Sequence, residues 1–324
     1  MSEAQHIPLD ELVALLHGDN PILPAAAYYR LSALPQDDLA ILEDAWHGLP
    51  VERRRTLLTQ LNVVSEANFE MDFRAVAEMA LDDADGEVRR GAIACLWEVE
   101  TPSLMRRLMD ILTHDPATET REAAASALGR FVLLGELEEL PQGTAAPVED
   151  LLLEICGEPT EPLDVRRRAL ESLGYSGRTE TVALIEDAYD HDALRMRVSA
   201  VFAMGRSADN RWADYVLREL ESYEAEMRYE AAHAAGELAL AEAVPGLIAL
   251  LESDDVELVS AAVWSLGEIG GAEARRGLTE LSLLTDDDDL LEAIDDALAM
   301  ASLMEGALGL IDLPDVDSLD GGEG

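Results

Sequence analysis

The sequence predicts an all-α solenoid, one elongated array of about eight helical hairpins, and three observations predict it. The chain matches itself at an offset of 31 residues: with Met227 and Arg228 set over Leu258 and Val259, Ala231 falls on Ala262, Ala235 on Leu266, Gly236 on Gly267 and Leu238 on Ile269. An arginine, in turn Arg89, Arg121, Arg166, Arg197 and Arg228, opens each of a series of similar helices. Eight residues after it stands Gly129, Gly174, Gly205 or Gly236, with Trp97 as the exception. Glycine there lets helices of neighbouring hairpins approach where a larger side chain would hold them apart. Composition agrees, because 48% hydrophobic residues with only 5% aromatics is what closely packed helices need.

Taken in order, residues 1–81 read as a cap with degenerate repeats, since an end unit of a solenoid has one face in water. Leu9, Leu12, Val13, Leu15 and Leu16 form one apolar face, Pro21 and Pro24 punctuate, and Tyr28, Tyr29, Leu31 and Leu34 form another. Arg54, with Leu57, Leu58, Leu61 and Val64, fits the template ahead of Arg89. Residues 82–302 form the solenoid proper. Pro102 opens a first helix whose core side is Leu104, Met105, Leu108, Ile111 and Leu112. The step from Arg121 to Arg166 is too long by 14 residues, and the surplus is placed at 134–146, where Pro141-Gln142-Gly143 reads as a turn. Such an insertion projects from one rim, either as a contact loop or as a tolerated surface loop. The run Asp286 to Asp289 begins the second helix of a last hairpin at 272–302. Residues 303–324 read as a disordered acidic tail, with acids interleaved among Ile, Leu and Val as in a linear recognition motif.

Helices of the form V-R-x-x-A-x-x-x-L-G, as from Val165 to Gly174, and a first-helix pattern such as Val244-Pro245-Gly246-Leu247 carry a resemblance over residues 82–270. The chain resembles the HEAT-repeat family, in the short bacterial variety related to the repeats of phycobilisome lyases. The resemblance implies a right-handed α-α superhelix whose second helices line the concave side, and a role as a scaffold or adaptor. It implies as a second possibility a bilin lyase or lyase chaperone, for which no residue here can be assigned a role. A base-excision enzyme on the same fold conflicts with the charge. In such repeats the column arginine pairs with an acid of the adjoining turn, and Asp85, Asp164 and Asp192 lie close by in sequence. That makes Arg89, Arg121, Arg166, Arg197 and Arg228 a structural ladder.

The net charge is −44, from 67 acidic and 23 basic residues, every one of the latter an arginine. Nucleic acid and anionic membranes are disfavoured partners, because their phosphates would be repelled before a local patch could engage. A basic protein or peptide is favoured, and a cation-rich cytosol would suit the same composition. No apolar run is long enough to span a bilayer and the N-terminal stretch has no signal-peptide pattern, so a cytoplasmic protein is expected. Cys95 and Cys156 form no C-x-x-C pair, and the six histidines have no metal-ligand spacing. In Asp82-Asp83-Ala84-Asp85-Gly86 the calcium-loop spacing fails, since Leu81 and Ala92 would occupy ligand positions. Without a nucleophile elbow, P-loop or dinucleotide fingerprint, no catalytic residue, metal or cofactor is expected.

One column departs from the template. Five residues after the column position, held by Arg197, Arg228 and then Val259, a polar residue is usual, and there stand Phe202, His233 and Trp264 in consecutive hairpins. Tyr229 lies four residues before His233, and Arg206, Glu237 and Glu268 each lie four residues after a ring, on the same helix face. Phe202, Tyr229, His233, Trp264, Arg206, Glu237 and Glu268 are therefore the candidate partner-binding residues, since interfaces concentrate aromatics and arginine at their energetic centres. The alternative is that a tight curve of the array buries the rings as core.

Overall fold

The computed structural model describes residues 7–18 and 20–311, with side chains to Leu303. Every regular element among them is helical. Contacts divide the chain into two compact units, Met1–Ser172 and Leu173–Gly324.

The first unit contains α1 (Leu9–Leu16), α2 (Ala25–Leu31), α3 (Gln36–Trp46), α4 (Val51–Ala67), α5 (Arg74–Ala80), α6 (Gly86–Cys95), α7 (Pro102–His114), α8 (Thr118–Glu136), α9 (Ala146–Gly157) and α10 (Leu163–Leu173), the last ending at the boundary. Pro8, Pro24, Pro35 and Pro50 precede the first four helices, each with φ near −60°. Their rings pre-set the entry angle but supply no acceptor for the free N–H groups of the first turn. Later helices start differently: the Asp85 carboxylate accepts from Val88 N–H, and the Thr101 hydroxyl from Leu104 N–H. The core is leucine-rich, with Leu12, Leu16, Leu42, Leu58 and Leu61 fully buried. Into it reaches one carboxylate, Asp83, whose side chain has no exposed surface. Burying that charge is tolerable because Trp46 Nε1 (2.6 Å), Arg54 Nη1 (2.5 Å) and Asp85 N–H (2.8 Å) all donate to it.

The second unit contains α11 (Thr179–Tyr189), α12 (Leu194–Arg206), α13 (Ala213–Glu219), α14 (Ala225–Glu237), α15 (Val244–Leu250), α16 (Val256–Ile269), α17 (Gly271–Ser282) and α18 (Asp288–Ile311). Helices α12, α14, α16 and α18 pack side by side as one layer, and α11, α13, α15 and α17 each pack on the helix that follows. The glycine column sets the spacing of the first layer. A β-carbon on Gly174 would lie 2.9 Å from Ala203 Cα, on Gly205 2.8 Å from Ala234 Cα, on Gly236 2.9 Å from Ser265 Cα and on Gly267 2.8 Å from Ala297 Cα. Carbon atoms in contact prefer about 3.5–4 Å, so each approach is open to glycine alone. Ser265 adds a polar tie, its hydroxyl donating to Ala232 O at 2.7 Å in the neighbouring helix.

The turns that follow these helices also recur. Ala208 (φ 50°) and Ala239 (φ 48°) stand 31 residues apart in the left-handed region, and Gly270 (φ 67°) takes the next place. At Ala239 the chain closes with Leu240 N–H donating to Ala235 O and Ala239 N–H to Gly236 O, the 6→1 and 5→2 pair that satisfies the last carbonyls of a helix.

Candidate protein-interaction surface

The rings at 202, 233 and 264 lie on the α12, α14 and α16 layer. His233 and Trp264 meet across α14 and α16 with centroids 5.0 Å apart and planes at 34°. Tyr229 stands edge-on to His233 at 4.8 Å, one turn earlier on the same helix. Phe202 is covered by Arg206, whose guanidinium carbon is 5.0 Å from the ring and 5.6 Å from the ring of Tyr175. Arg206 Nη1 also reaches Glu237 Oε1 at 2.9 Å, joining α12 to α14. Trp264 Cζ3 rests 2.8 Å from where a β-carbon of Gly236 would stand, so that glycine makes room for the ring as well as for the helix. Phe202, Tyr229, His233, Arg206, Glu237 and Glu268 are half-buried, and Trp264 keeps 38% of its surface in water.

This half-buried setting moves the titrating groups. Burial, with the nearby positive charge of Arg206 adding to it, lowers His233 below the ordinary imidazole value. Burial raises Glu237 above the usual carboxylate range, and Arg206 offsets part of that rise. Burial likewise raises the phenols of Tyr229 and Tyr175.

The repeated arginines are fastened into the turns before their own helices. Arg89, Arg121, Arg197 and Arg228 each donate through Nη1 to the carbonyl six residues earlier, at 2.7, 2.8, 2.9 and 2.8 Å. Arg166 instead donates through Nε to Cys156 O at 3.1 Å. Their acidic partners differ from those expected of the adjoining turn. Arg89 pairs with Asp115 through two bonds, 2.7 and 2.6 Å, and Arg121 with Glu161 at 3.2 Å. Asp85 is taken by Arg55 at 2.9 and 2.6 Å while it caps α6, and Asp164 lies 3.7 Å from Arg167. Asp192 offers Arg197 its backbone carbonyl. At α6 the acid at the helix start turns toward that helix's own N–H groups, and Arg89 reaches onward to Asp115 in the next hairpin's turn.

Helix α8 runs on to Glu136, so the first residues of 134–146 are helical and the connection to α9 is shorter than the surplus implies. It holds Glu138 at φ 58° and Gly143 at φ 79°. In the Asp82 to Gly86 run, Asp82 pairs with Arg107 and the other two acids are engaged as described above. Asp287 caps α18, accepting from Asp289 N–H at 3.0 Å and Leu290 N–H at 3.2 Å. Helix α18 extends to Ile311, and the expected tail beyond it lies outside the described residues. Among the described residues no group of three or more His, Cys, Asp or Glu could hold a metal, and no helix is long and apolar enough to cross a membrane. Both cysteines are free, and burial pushes each thiol up to about 12.

A second ring cluster escaped the sequence reading. Tyr215 sits edge-on between Tyr189 (5.1 Å) and Trp212 (5.6 Å) on the layer of first helices, with Arg218 5.6 Å above it. Trp212 is buried, and Tyr189 donates its hydroxyl to Glu219. The spacing of Trp212 and Tyr215 was a usable signal, although on a short first helix it is also the spacing of ordinary core.

The family model for HEAT repeats matches residues 74–154 and 213–299, together just over half of the chain. The chain belongs to the HEAT-repeat family, an all-α fold of stacked hairpins whose repeats generally mediate protein interaction. The narrower likeness to the phycobilisome-lyase variety rests on the sequence motif alone. No curated protein matches the chain. Among solved structures it is similar to YibA of Escherichia coli, with 15% identity, TM-score 0.45 and coverage of 84% of this chain and 95% of that one. It is similar to human deoxyhypusine hydroxylase, solved in complex with glycerol, at 18%, 0.36, and 91% and 96%. It is similar to yeast importin-β (Kap95p) at 14%, 0.46, and 90% and 45%.

Proposed function

We propose that the protein is a non-enzymatic adaptor that binds a basic protein segment on the layer of second helices, taken as the hollow side of the stack. One observation carries this reading: Tyr229, His233 and Trp264 form a continuous run of rings across two hairpins, part of it open to water. A core cluster of the same residues would be fully enclosed. Aromatic groups of this kind supply contact area at little cost in side-chain entropy, and the net charge of −44 speeds encounter with a cationic partner. No cofactor or metal is assigned a part.

The test is fluorescence anisotropy of a labelled arginine-rich peptide at low salt, with the full chain and its Phe202→Ala/Trp264→Ala variant. Loss of two central rings is expected to weaken binding by about tenfold or more, with helicity by circular dichroism unchanged. Equal affinity, or a collapse of helicity, would count against the surface.

A further inference from the structure

The row of rings is occupied at one end and open at the other. At the Phe202 end the protein supplies its own cation: Arg206 lies against Phe202 and Tyr175 and is paired with Glu237 of the next helix. One and two repeats on, the positions equivalent to Arg206 are Glu237 and Glu268, so the rings of His233 and Trp264 are flanked by carboxylates where Phe202 has a guanidinium. The glycine contacts fix the register further. Ala234, Ser265 and Ala297 each face the glycine of the preceding helix, so the residues just before them, His233, Trp264 and Asp296, fall in one row. Asp296 is exposed on α18, and Glu268 makes no ion pair among the described residues.

Resting on the adaptor reading, we propose that Trp264, Glu268 and Asp296 form the seat for an arginine side chain of the bound segment. The guanidinium lies on the exposed face of Trp264 between the two carboxylates, a cation on a ring beside an acid as Arg206 is on Phe202 beside Glu237. A planar guanidinium suits the seat better than an ammonium because it can stack on a ring while its edges donate to carboxylates. The bland role for these acids is general: two more charges on a surface already strongly negative, attracting any cation at long range.

The experiment uses the full chain and three labelled peptides of alternating glycine with arginine, citrulline or lysine, read by anisotropy at low and physiological salt. Citrulline keeps the shape and most donors of arginine but has no charge. The arginine peptide is expected to bind about tenfold more tightly than the citrulline peptide and more tightly than the lysine one. Glu268→Gln/Asp296→Asn is expected to remove most of that preference, whereas Glu242→Gln/Glu252→Gln, which removes the same charge from exposed positions beside α15, changes it by less than about twofold. Equal binding of arginine and citrulline peptides, or equal losses from the two double variants, overturns the seat. In those cases a loss on Phe202→Ala/Trp264→Ala would leave the adaptor reading standing. Absence of binding by all three peptides up to millimolar concentration overturns both.

Discussion

In the unit Met1–Ser172 the repeated arginines other than Arg166 reach carboxylates, and in the unit Leu173–Gly324 they reach backbone carbonyls. Arg54, Arg89 and Arg121 end on Asp83, Asp115 and Glu161. Arg197 and Arg228 close their turns through His191 O, Asp192 O, Ser222 O and Tyr223 O. What Arg89, Arg121, Arg197 and Arg228 share is the bond to the carbonyl six residues back, so their common task is to shape the turn between the two helices of a hairpin. The carboxylate is an addition of the first unit. The second unit carries four successive glycine contacts, where the first has Gly129 against Ser172, and these set the distance between helices by steric closeness, a force that salt and pH leave alone.

The largest expected break in this comparison comes from Arg89. Its side chain and that of Asp115 are 9% and 6% exposed, so Arg89→Ala leaves a buried carboxylate without its cation, at a cost of about 3–5 kcal/mol. Arg228→Ala removes bonds to neutral carbonyls and is expected to cost about 1 kcal/mol. Urea unfolding of single-tryptophan variants, Trp46 for the first unit and Trp264 for the second, compares the two. Similar losses would erase the distinction.

Gly267→Ala comes next. The added methyl would meet Ala297 Cα and O, backbone atoms that cannot swing aside, and a loss of about 1–3 kcal/mol is expected. Gly157→Ala, with nothing within 4 Å, is the control and is expected to be neutral or slightly stabilising.

The smallest effect is a difference in pH response. In the first unit the Arg55 pair holds Asp85 below the carboxylate range. At Asp115 burial pushes upward, but the bonds from Arg89 and Ala117 N–H outweigh it and hold the group low. These depressed groups contribute stability that is present above the ordinary value and lost as pH falls through the lowered one. Glu237 has the opposite sign: raised in the folded state, it contributes stability that is full below the ordinary value and lost as pH rises through the raised one. His233, depressed, contributes stability above the ordinary imidazole value that is lost as pH falls. His233→Gln is therefore expected to leave the second unit gaining stability on mild acidification, while the first holds steady until its carboxylates protonate. Unfolding midpoints at stepped pH, read from the same two tryptophans, check the divergence.

Much of this was legible in the sequence because the contacts that make a stacked repeat recur at the repeat's own period. Gly174, Gly205 and Gly236 could be aligned by eye, and each meets a small residue on the next second helix. The partner of Arg89 was not legible. Asp115 lies 26 residues on, in the turn of the following hairpin, while the closer Asp85 is used at its own helix start; proximity along the chain favours the wrong acid. For the rings, spacing placed 202, 233 and 264 in one row. It said nothing of how they divide, with Arg206 lying over Phe202 while Trp264 stays open, because that depends on rotamers that a repeat pattern does not encode. The fully paired Asp83 was likewise hidden, as its three donors come from three separate elements.

The glycine contacts run head to tail, each helix offering a groove on one side and a small residue on the other. Nothing in such a geometry limits the number of copies, because each contact involves neighbouring helices alone. In α18 the place that follows Gly205, Gly236 and Gly267, two residues beyond the contact at Ala297, is taken by Ala299, which is exposed and has the exposed Met300 beside it. On the distances found at the glycines, a methyl there leaves no room for a further helix at the same close spacing. The same column that lets the hairpins nest therefore ends, among the described residues, at a position that no longer offers the close seat glycine gives.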